Sequence, residues 1–273
     1  MKKIALVTGA SSGIGKETAK RLIKEGLTVY AAARRVELMC DLEEMGATVI
    51  KMDITREEDI TSAVNAIHQR HGGVDVLVNN AGYGVFGAVE EITLQEARRQ
   101  FEVNLFGLAS LTQKVIPHMR ARKSGTIVNV SSFVGKIYTP MGAWYNATKH
   151  ALEAWSDCLR IELRQFGIDV VIIEPGIIKT EFDEVVCTPL AKNTAKSDYT
   201  PMAIRLAATM NKLYHAGKAS SAAEVSEVIT RSISSKRPHA RYTVGYLANK
   251  MIFLRWLLND RTFDKVSLSL LKA

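Results

Sequence analysis

Cysteine is nearly absent: Cys40, Cys158 and Cys187 are the whole complement of this 273-residue chain. The number is odd and none stands in CxxC spacing, so neither a disulfide framework nor a zinc site is expected. A reducing, cytoplasmic setting fits that usage. Proline is thin as well, with six residues and no linker rich in it, so one domain over 1–273 is expected rather than two small ones. No apolar run reaches the about 20 residues that a bilayer-spanning helix needs. The run behind Met1-Lys2-Lys3 stops at Thr8-Gly9, too short for a secretion leader and suited to a strand. Basic residues interleaved with aromatics are also missing. The formal charge of +8 therefore reads as a basic surface without nucleic-acid affinity. No His/Asp/Glu spacing suggests a metal, and no histidine has a partner serine in an elbow motif for nucleophilic catalysis.

What is present is an alternation. Short apolar runs occur at Ile4–Val7, Thr28–Ala32, Thr48–Lys51, Val74–Val78, Thr126–Val130 and Ile168–Ile173. Several are nearly continuous in Val, Ile and Ala, as expected of strands covered on both faces. Helical patterns fill Lys16–Glu25, Glu37–Met45, Glu57–Arg70, Leu94–Arg120 and Ala147–Phe166; the last sets Ala151, Leu152, Trp155, Leu159 and Leu163 at helical spacing. Repeated β-α-β units require right-handed crossovers and a parallel sheet. The expected fold is α/β: a single doubly wound Rossmann-type parallel sheet flanked by helices on both faces. Beyond Glu181 the pattern loosens into a loop over 181–200, helical stretches near 201–216 and 222–234, and a β-like Arg241–Val244.

Thr8 to Gly15 follows the first strand and opens the first helix. Glycines at 9, 13 and 15 permit a tight turn and let backbone and helix N–H groups approach a pyrophosphate; Ser11, Ser12 and Ile14 belong to the same cradle. The end of the second strand separates the two nicotinamide cofactors. NAD sites place a carboxylate there, whereas this chain has Arg34 and Arg35 and no acid. A guanidinium grips phosphate with two parallel hydrogen bonds, so NADP(H) is expected, with Arg34 the better candidate. Asp53 and Ile54 end the third strand, where they could bracket an adenine or cap the helix after Thr55. Asn80, Ala81 and Gly82 end the fourth, small enough for a cofactor to lie against the backbone.

Tyr145 and Lys149 are one helical turn apart and share a face. A free tyrosine titrates near ~10, and a neighbouring ammonium and a positively charged nicotinamide would both lower that value and favour the phenolate. The same phenol can donate its proton to a carbonyl oxygen. Ser131 and Ser132 end the fifth strand at the same edge of the sheet, where a hydroxyl could polarise a substrate oxygen; for Ser131 a turn or cap role is expected.

Taken together, TGASSGIG at 8–15, DIT at 53–55, NNAG at 79–82, the lone Asn104 within FEVNLFG, VSS at 130–132, YNATK at 145–149 and PGIIKT at 175–180 resemble the short-chain dehydrogenase/reductase family over positions 3–180. The resemblance implies hydride exchange between a nicotinamide cofactor and a carbonyl or secondary alcohol. It implies a tetrad of Asn104, Ser132, Tyr145 and Lys149, Asn104 holding a water that links Lys149 to solvent. It implies a nicotinamide-side wall of Pro175, Gly176, Ile178 and Thr180. Homodimers or homotetramers built through about 93–120 and 147–166 follow by the same analogy. Within the family the chain resembles the 17β-hydroxysteroid dehydrogenase-like group, which implies a lipophilic carbonyl or alcohol substrate.

Phe86, Phe133, Tyr138, Met141, Trp144, Phe182 and Met202 are candidates for an apolar pocket, with 181–217 as a lid over it. The apolar stretch Tyr246–Leu258, opening the 245–273 extension, could cover that pocket, form a subunit contact or lie on a membrane surface. Two other readings stand beside a lipid-carbonyl reductase: a silent NADP(H)-binding sensor, and a reductase of carrier-bound 3-oxoacyl chains.

Overall fold

The computed structural model describes residues 2–181, 197–215 and 219–269. Its centre is β1 (Ile4–Thr8), paired on one side with β2 (Thr28–Ala33) and beyond it β3 (Thr48–Lys51). On its other side lie β4 (Val76–Asn79), β5 (Gly125–Val130), β6 (Ile168–Pro175) and β9 (Arg241–Val244). All these pairings are parallel, in the order β3-β2-β1-β4-β5-β6-β9. Strand order therefore reverses between β1 and β4, leaving a crevice at the carboxyl ends of the two strands.

Alternation along the strands builds two cores. Ala5, Val7, Val29, Ala31, Val76, Val78, Val128 and Val171 face one side, with Leu22 of α1 (Gly13–Lys24) and with Val225 and Ile229 of the later helix Ala222–Ser234. Ile4, Leu6, Tyr30, Leu77, Ile127 and Val170 face the other, against α3 (Glu57–His71), α5 (Gly107–Arg122) and α6 (Ala143–Leu163). Burial on both faces is why these strands read as continuous apolar runs.

Three local departures matter for the site. The pattern Leu94–Arg120 predicts one helix, but α4 (Leu94–Phe101) and α5 are joined by a π-helical turn, Glu102–Phe106, that carries the buried Asn104. Such turns re-aim side chains and occur often at functional positions. The predicted helix Glu37–Met45 contracts to a 3₁₀ turn, Val36–Met39, followed by α2 (Cys40–Glu44). The helix predicted to begin at Ala147 starts a turn earlier, at Ala143, so Tyr145 lies within its first turn.

A two-strand pair, β7 (Ile178–Lys179) with β8 (Ser220–Ser221), was not expected from the sequence. Further on lie α7 (Thr200–His215), α8 (Ala222–Ser234), α9 (Ala248–Leu257) and α10 (Asp260–Ser269). A third apolar cluster joins Phe86, Val134, Ile137 and Tyr145 to Ala203 of α7, Met251 of α9 and Phe263 of α10. It roofs the carboxyl edge of the sheet.

Candidate functional site

The glycine turn is built by close contact. Gly9 (φ +66) and Gly13 (φ +52) adopt the left-handed backbone that favours glycine. At Gly15 an added Cβ would stand 2.4 Å from the Asn80 amide nitrogen and 2.4 Å from the Gly9 carbonyl. Asn80 accordingly braces the turn, its Nδ2 donating to the Thr8 carbonyl at 3.0 Å. The Thr8 hydroxyl accepts from the Asn80 and Ala81 amides, both at 3.0 Å, fastening the ends of β1 and β4 together. The helix behind the turn carries no side-chain cap at Ser12 and no acid in its first turn. Its first N–H groups are thus left to whatever enters the crevice, a cradle suited to phosphate.

Arg34 and Arg35 are exposed at the end of β2. Arg34 enters no ion pair among the described residues, yet its charge reaches Asp53. Burial pushes the Asp53 carboxyl up, but hydrogen bonds from the Thr55 amide (3.0 Å) and hydroxyl (2.8 Å), with Arg99 and Arg34 nearby, hold it below the usual value. Asp53 therefore organises its own turn and does not cap α3, which begins after Arg56. Arg99, 3.5 Å from Asp53, is a second cation at this end that sequence reasoning missed, because a charge on a helix reads as solvated face.

At the other end Tyr145, Lys149 and Ser132 are all buried. The Lys149 ammonium donates to the Val130 carbonyl at 2.9 Å and lies 5.8 Å from the centre of the Tyr145 ring. Burial lowers Lys149 to about 8, with Glu153 acting the other way. Burial raises the Tyr145 phenol well above its ordinary value, opposed by a hydrogen bond with Ser132. Among the protein's own groups, desolvation therefore sets the direction for the phenol, and Ser132 supplies the opposing hydrogen bond. The serine assignments change in detail. Ser132, not Ser131, caps the turn that follows, accepting from the Val134 amide at 3.4 Å, while the buried Ser131 hydroxyl has no partner among the described residues.

Asn104 is fully buried behind Tyr145. Its amide nitrogen donates to the Tyr83 carbonyl (2.8 Å) and the Thr148 hydroxyl (3.1 Å), and its oxygen accepts from the Tyr83 amide (3.0 Å). It ties the loop after Gly82 to α6. Beneath the site, Asn79 bridges to Thr112 (3.0 Å) and Asn129 (2.9 Å), and Asn129 to Ser156 (2.9 Å), a buried polar ladder that the sequence did not announce.

These residues converge on one cleft of about 1120 Å³. Every cofactor and catalytic candidate lines it except Gly15 and Asn104, which stand behind its wall. The half near Gly9, Arg34 and Asp53 is polar. Among its lining residues Phe86, Val134, Ile137, Leu206, Met210, Leu247 and Met251 belong with Tyr145 to the third apolar cluster, which makes the part of the cleft they wall apolar. Of the expected aromatic and methionine lining, Phe86 and Phe133 are there. Met141 and Met202 border a smaller neighbouring pocket, Tyr138 turns to Asp264 at 2.9 Å, and Trp144 lies off the cleft. Phe182 and Cys187 lie outside the described residues. Leu247 and Met251 of the C-terminal stretch line the cleft. No described helix is long and apolar enough to cross a membrane.

Comparison with known proteins adds an independent line. The family model described as short chain dehydrogenase matches residues 3–189. A probable short-chain type dehydrogenase/reductase of Helicobacter pylori is 33% identical over 266 residues, 96% of each chain. An NADPH-dependent 3-dehydrocapnine reductase of Ornithobacterium rhinotracheale is 34% identical, covering 97% of this chain and 95% of its own. The crystal structure of a short-chain dehydrogenase from Streptomyces avermitilis superposes with a TM-score of 0.80 at 33% identity, over 99% of this chain and 95% of that one.

Proposed function

Because this chain belongs to the short-chain dehydrogenase/reductase family, whose members are nicotinamide-dependent oxidoreductases, we propose that it is an NADP(H)-dependent enzyme interconverting a lipophilic ketone and its secondary alcohol. The observation that carries this reading is that Tyr145 lines the same cleft as the glycine turn and Arg34 while belonging to the apolar cluster of Phe86, Ile137 and Met251. The cofactor, when bound, supplies or accepts the hydride at the substrate carbon.

The chain's own residues do the rest. The uncapped start of α1 and the backbone at Gly9–Ile14 hold the pyrophosphate, with Gly15 letting the helix approach. Arg34 and Arg35 would take the 2′-phosphate, Asp53 and Ile54 would hold the adenine, and Asn80, Ala81 and Gly82 would receive the sugar. Pro175, Gly176, Ile178 and Thr180 form the nicotinamide-side wall. The NADPH dependence named for the Ornithobacterium relative agrees with the arginine argument.

Tyr145 is the general acid for reduction. The phenol carries the proton that a carbonyl oxygen needs; burial raises its affinity for that proton and the hydrogen bond with Ser132 works the other way, so Ser132 both eases the transfer and would hold the substrate oxygen beside it. Lys149, near neutrality in its affinity for protons, replenishes the phenol. Both amide hydrogens of Asn104 are already engaged, so a relay water held there would rest on its carbonyl oxygens. A silent binding protein would have no need of this arrangement. Leu94, Phe106 and Ile161 are exposed on the helices assigned to assembly, consistent with a homodimer or homotetramer.

The test is NADPH consumption, with NADH in parallel, across ketones graded from short alkyl to steroid-sized and long-chain. Turnover that grows with apolar bulk and prefers NADPH supports the proposal; turnover only on short polar ketones, or preference for NADH, contradicts it.

A further inference from the structure

The helix that closes the apolar end of the cleft has a second face. At 3.6 residues per turn, α9 directs Ala248 and Met251 inward, where both are buried and Met251 lines the cleft. The opposite arc presents Phe253, Trp256 and Leu257, exposed to 56%, 79% and 57%. The Phe253 and Trp256 rings lie 6.0 Å apart and form one patch.

Charge around the patch is sorted. Arg255 is drawn inward over Tyr138 and Phe263, and it pairs with Asp260 at 2.7 Å. Asp264 accepts from the Tyr138 hydroxyl at 2.9 Å. The nearby acids are thereby engaged within the protein. Lys250, Arg261 and Lys265 are instead exposed and enter no ion pair among the described residues. Large apolar side chains that include a tryptophan, bordered by uncompensated cations on a chain of formal charge +8, match an interface between hydrocarbon and anionic headgroups.

We propose that α9 and α10 seat the protein on the surface of an anionic lipid bilayer, with Phe253, Trp256 and Leu257 entering the headgroup boundary. The same short helix would then separate the lipid from the apolar half of the cleft, so a lipophilic substrate need not cross bulk water. The inference does not depend on turnover, because binding to vesicles is measured without substrate.

Flotation with vesicles of phosphatidylcholine and phosphatidylglycerol, against pure phosphatidylcholine, tests it, together with tryptophan emission and the mass of the protein in solution. Wild type is expected to float with the mixed vesicles only, with a blue-shifted emission that Trp256→Ser removes. Phe253→Ser/Leu257→Ser should lose at least tenfold in partitioning, and Lys250→Glu/Lys265→Glu roughly fivefold per charge. NADPH binding serves as the folding control for each variant. No flotation, with Phe253→Ser/Leu257→Ser splitting an oligomer, would overturn the proposal in favour of a contact between copies. No flotation and no change in mass would overturn it outright.

Discussion

The Lys149 ammonium donates to the Val130 carbonyl at 2.9 Å, so the side chain that faces Tyr145 is also the strut between α6 and the end of β5. Its surroundings make that charge costly. Burial brings Lys149 from 10.5 to about 8, which means the folded protein binds this proton less tightly than the unfolded chain does. The penalty is fully present below pH 8 and fades as pH rises from about 8 toward 10.5, where the unfolded chain also loses the proton.

Lys149→Met is therefore expected to abolish turnover yet stabilise the cofactor-free protein at pH 7. The displacement corresponds to a penalty of order 3 kcal/mol, from which the lost hydrogen bond to Val130 subtracts about 1 kcal/mol. Urea unfolding at pH 7 and 10 measures it, and the gain should shrink at the higher pH. A variant less stable than wild type at pH 7 would contradict this account of the buried charge.

Two glycines separate strain from collision. Gly26 has φ +83 with nothing within 4 Å of an added Cβ, so Gly26→Ala should cost only about 1–2 kcal/mol of backbone strain. Gly15→Ala meets backbone and the Asn80 amide at 2.4 Å. It should cost at least about 1–3 kcal/mol of overpacking and weaken cofactor binding as well. Thermal unfolding with and without NADPH distinguishes them: only Gly15→Ala should lose the cofactor-induced rise in Tm.

Arg34→Ala should weaken NADPH by about 10- to 100-fold, the worth of a charge-assisted hydrogen bond, and leave NADH nearly unchanged. Arg99→Ala should do less, because that guanidinium is partly engaged by Asp53 and Thr55. Titration of each variant with both cofactors checks this, and equal losses for NADPH and NADH would remove the 2′-phosphate assignment.

Leu206 and Met210 come from α7 to wall the apolar half of the cleft. Leu206→Gln/Met210→Gln is expected to raise KM for long-chain ketones at least tenfold while kcat on a short ketone stays within about twofold, as removal of uniform binding predicts. Loss of activity on short and long ketones alike would mean that these residues support the fold instead.

Much of this was legible in advance, for identifiable reasons. Strands buried on both faces leave unbroken Val/Ile/Ala runs, so β1, β2, β5 and β6 could be placed within two residues at either end. The glycine turn and the Tyr145–Lys149 pair are local in sequence and visible as spacing. The π turn at Glu102–Phe106 was not, since one inserted residue barely disturbs apolar periodicity over a long helix. Nor was Arg99, which reaches the cleft only through tertiary packing, whereas Leu206 and Leu247 lie in segments expected to cover the pocket but could not be singled out within them. Tyr138 and Met202 went the other way: apolar and suitably placed in sequence, they pack among the C-terminal helices and α7. The direction of the Tyr145 shift was also out of reach, because burial is a property of the fold.

The central claim is that Tyr145 gives the proton. Its most direct test measures NADPH oxidation with a long-chain ketone by wild type and Tyr145→Phe, alongside NADPH affinity for both. Tyr145→Phe is expected to lose about 10²–10⁴-fold in turnover, the range of general acid catalysis, with NADPH affinity unchanged within about threefold. A Phe variant that keeps more than about a tenth of wild-type turnover would contradict the claim and move the general acid elsewhere in the cleft.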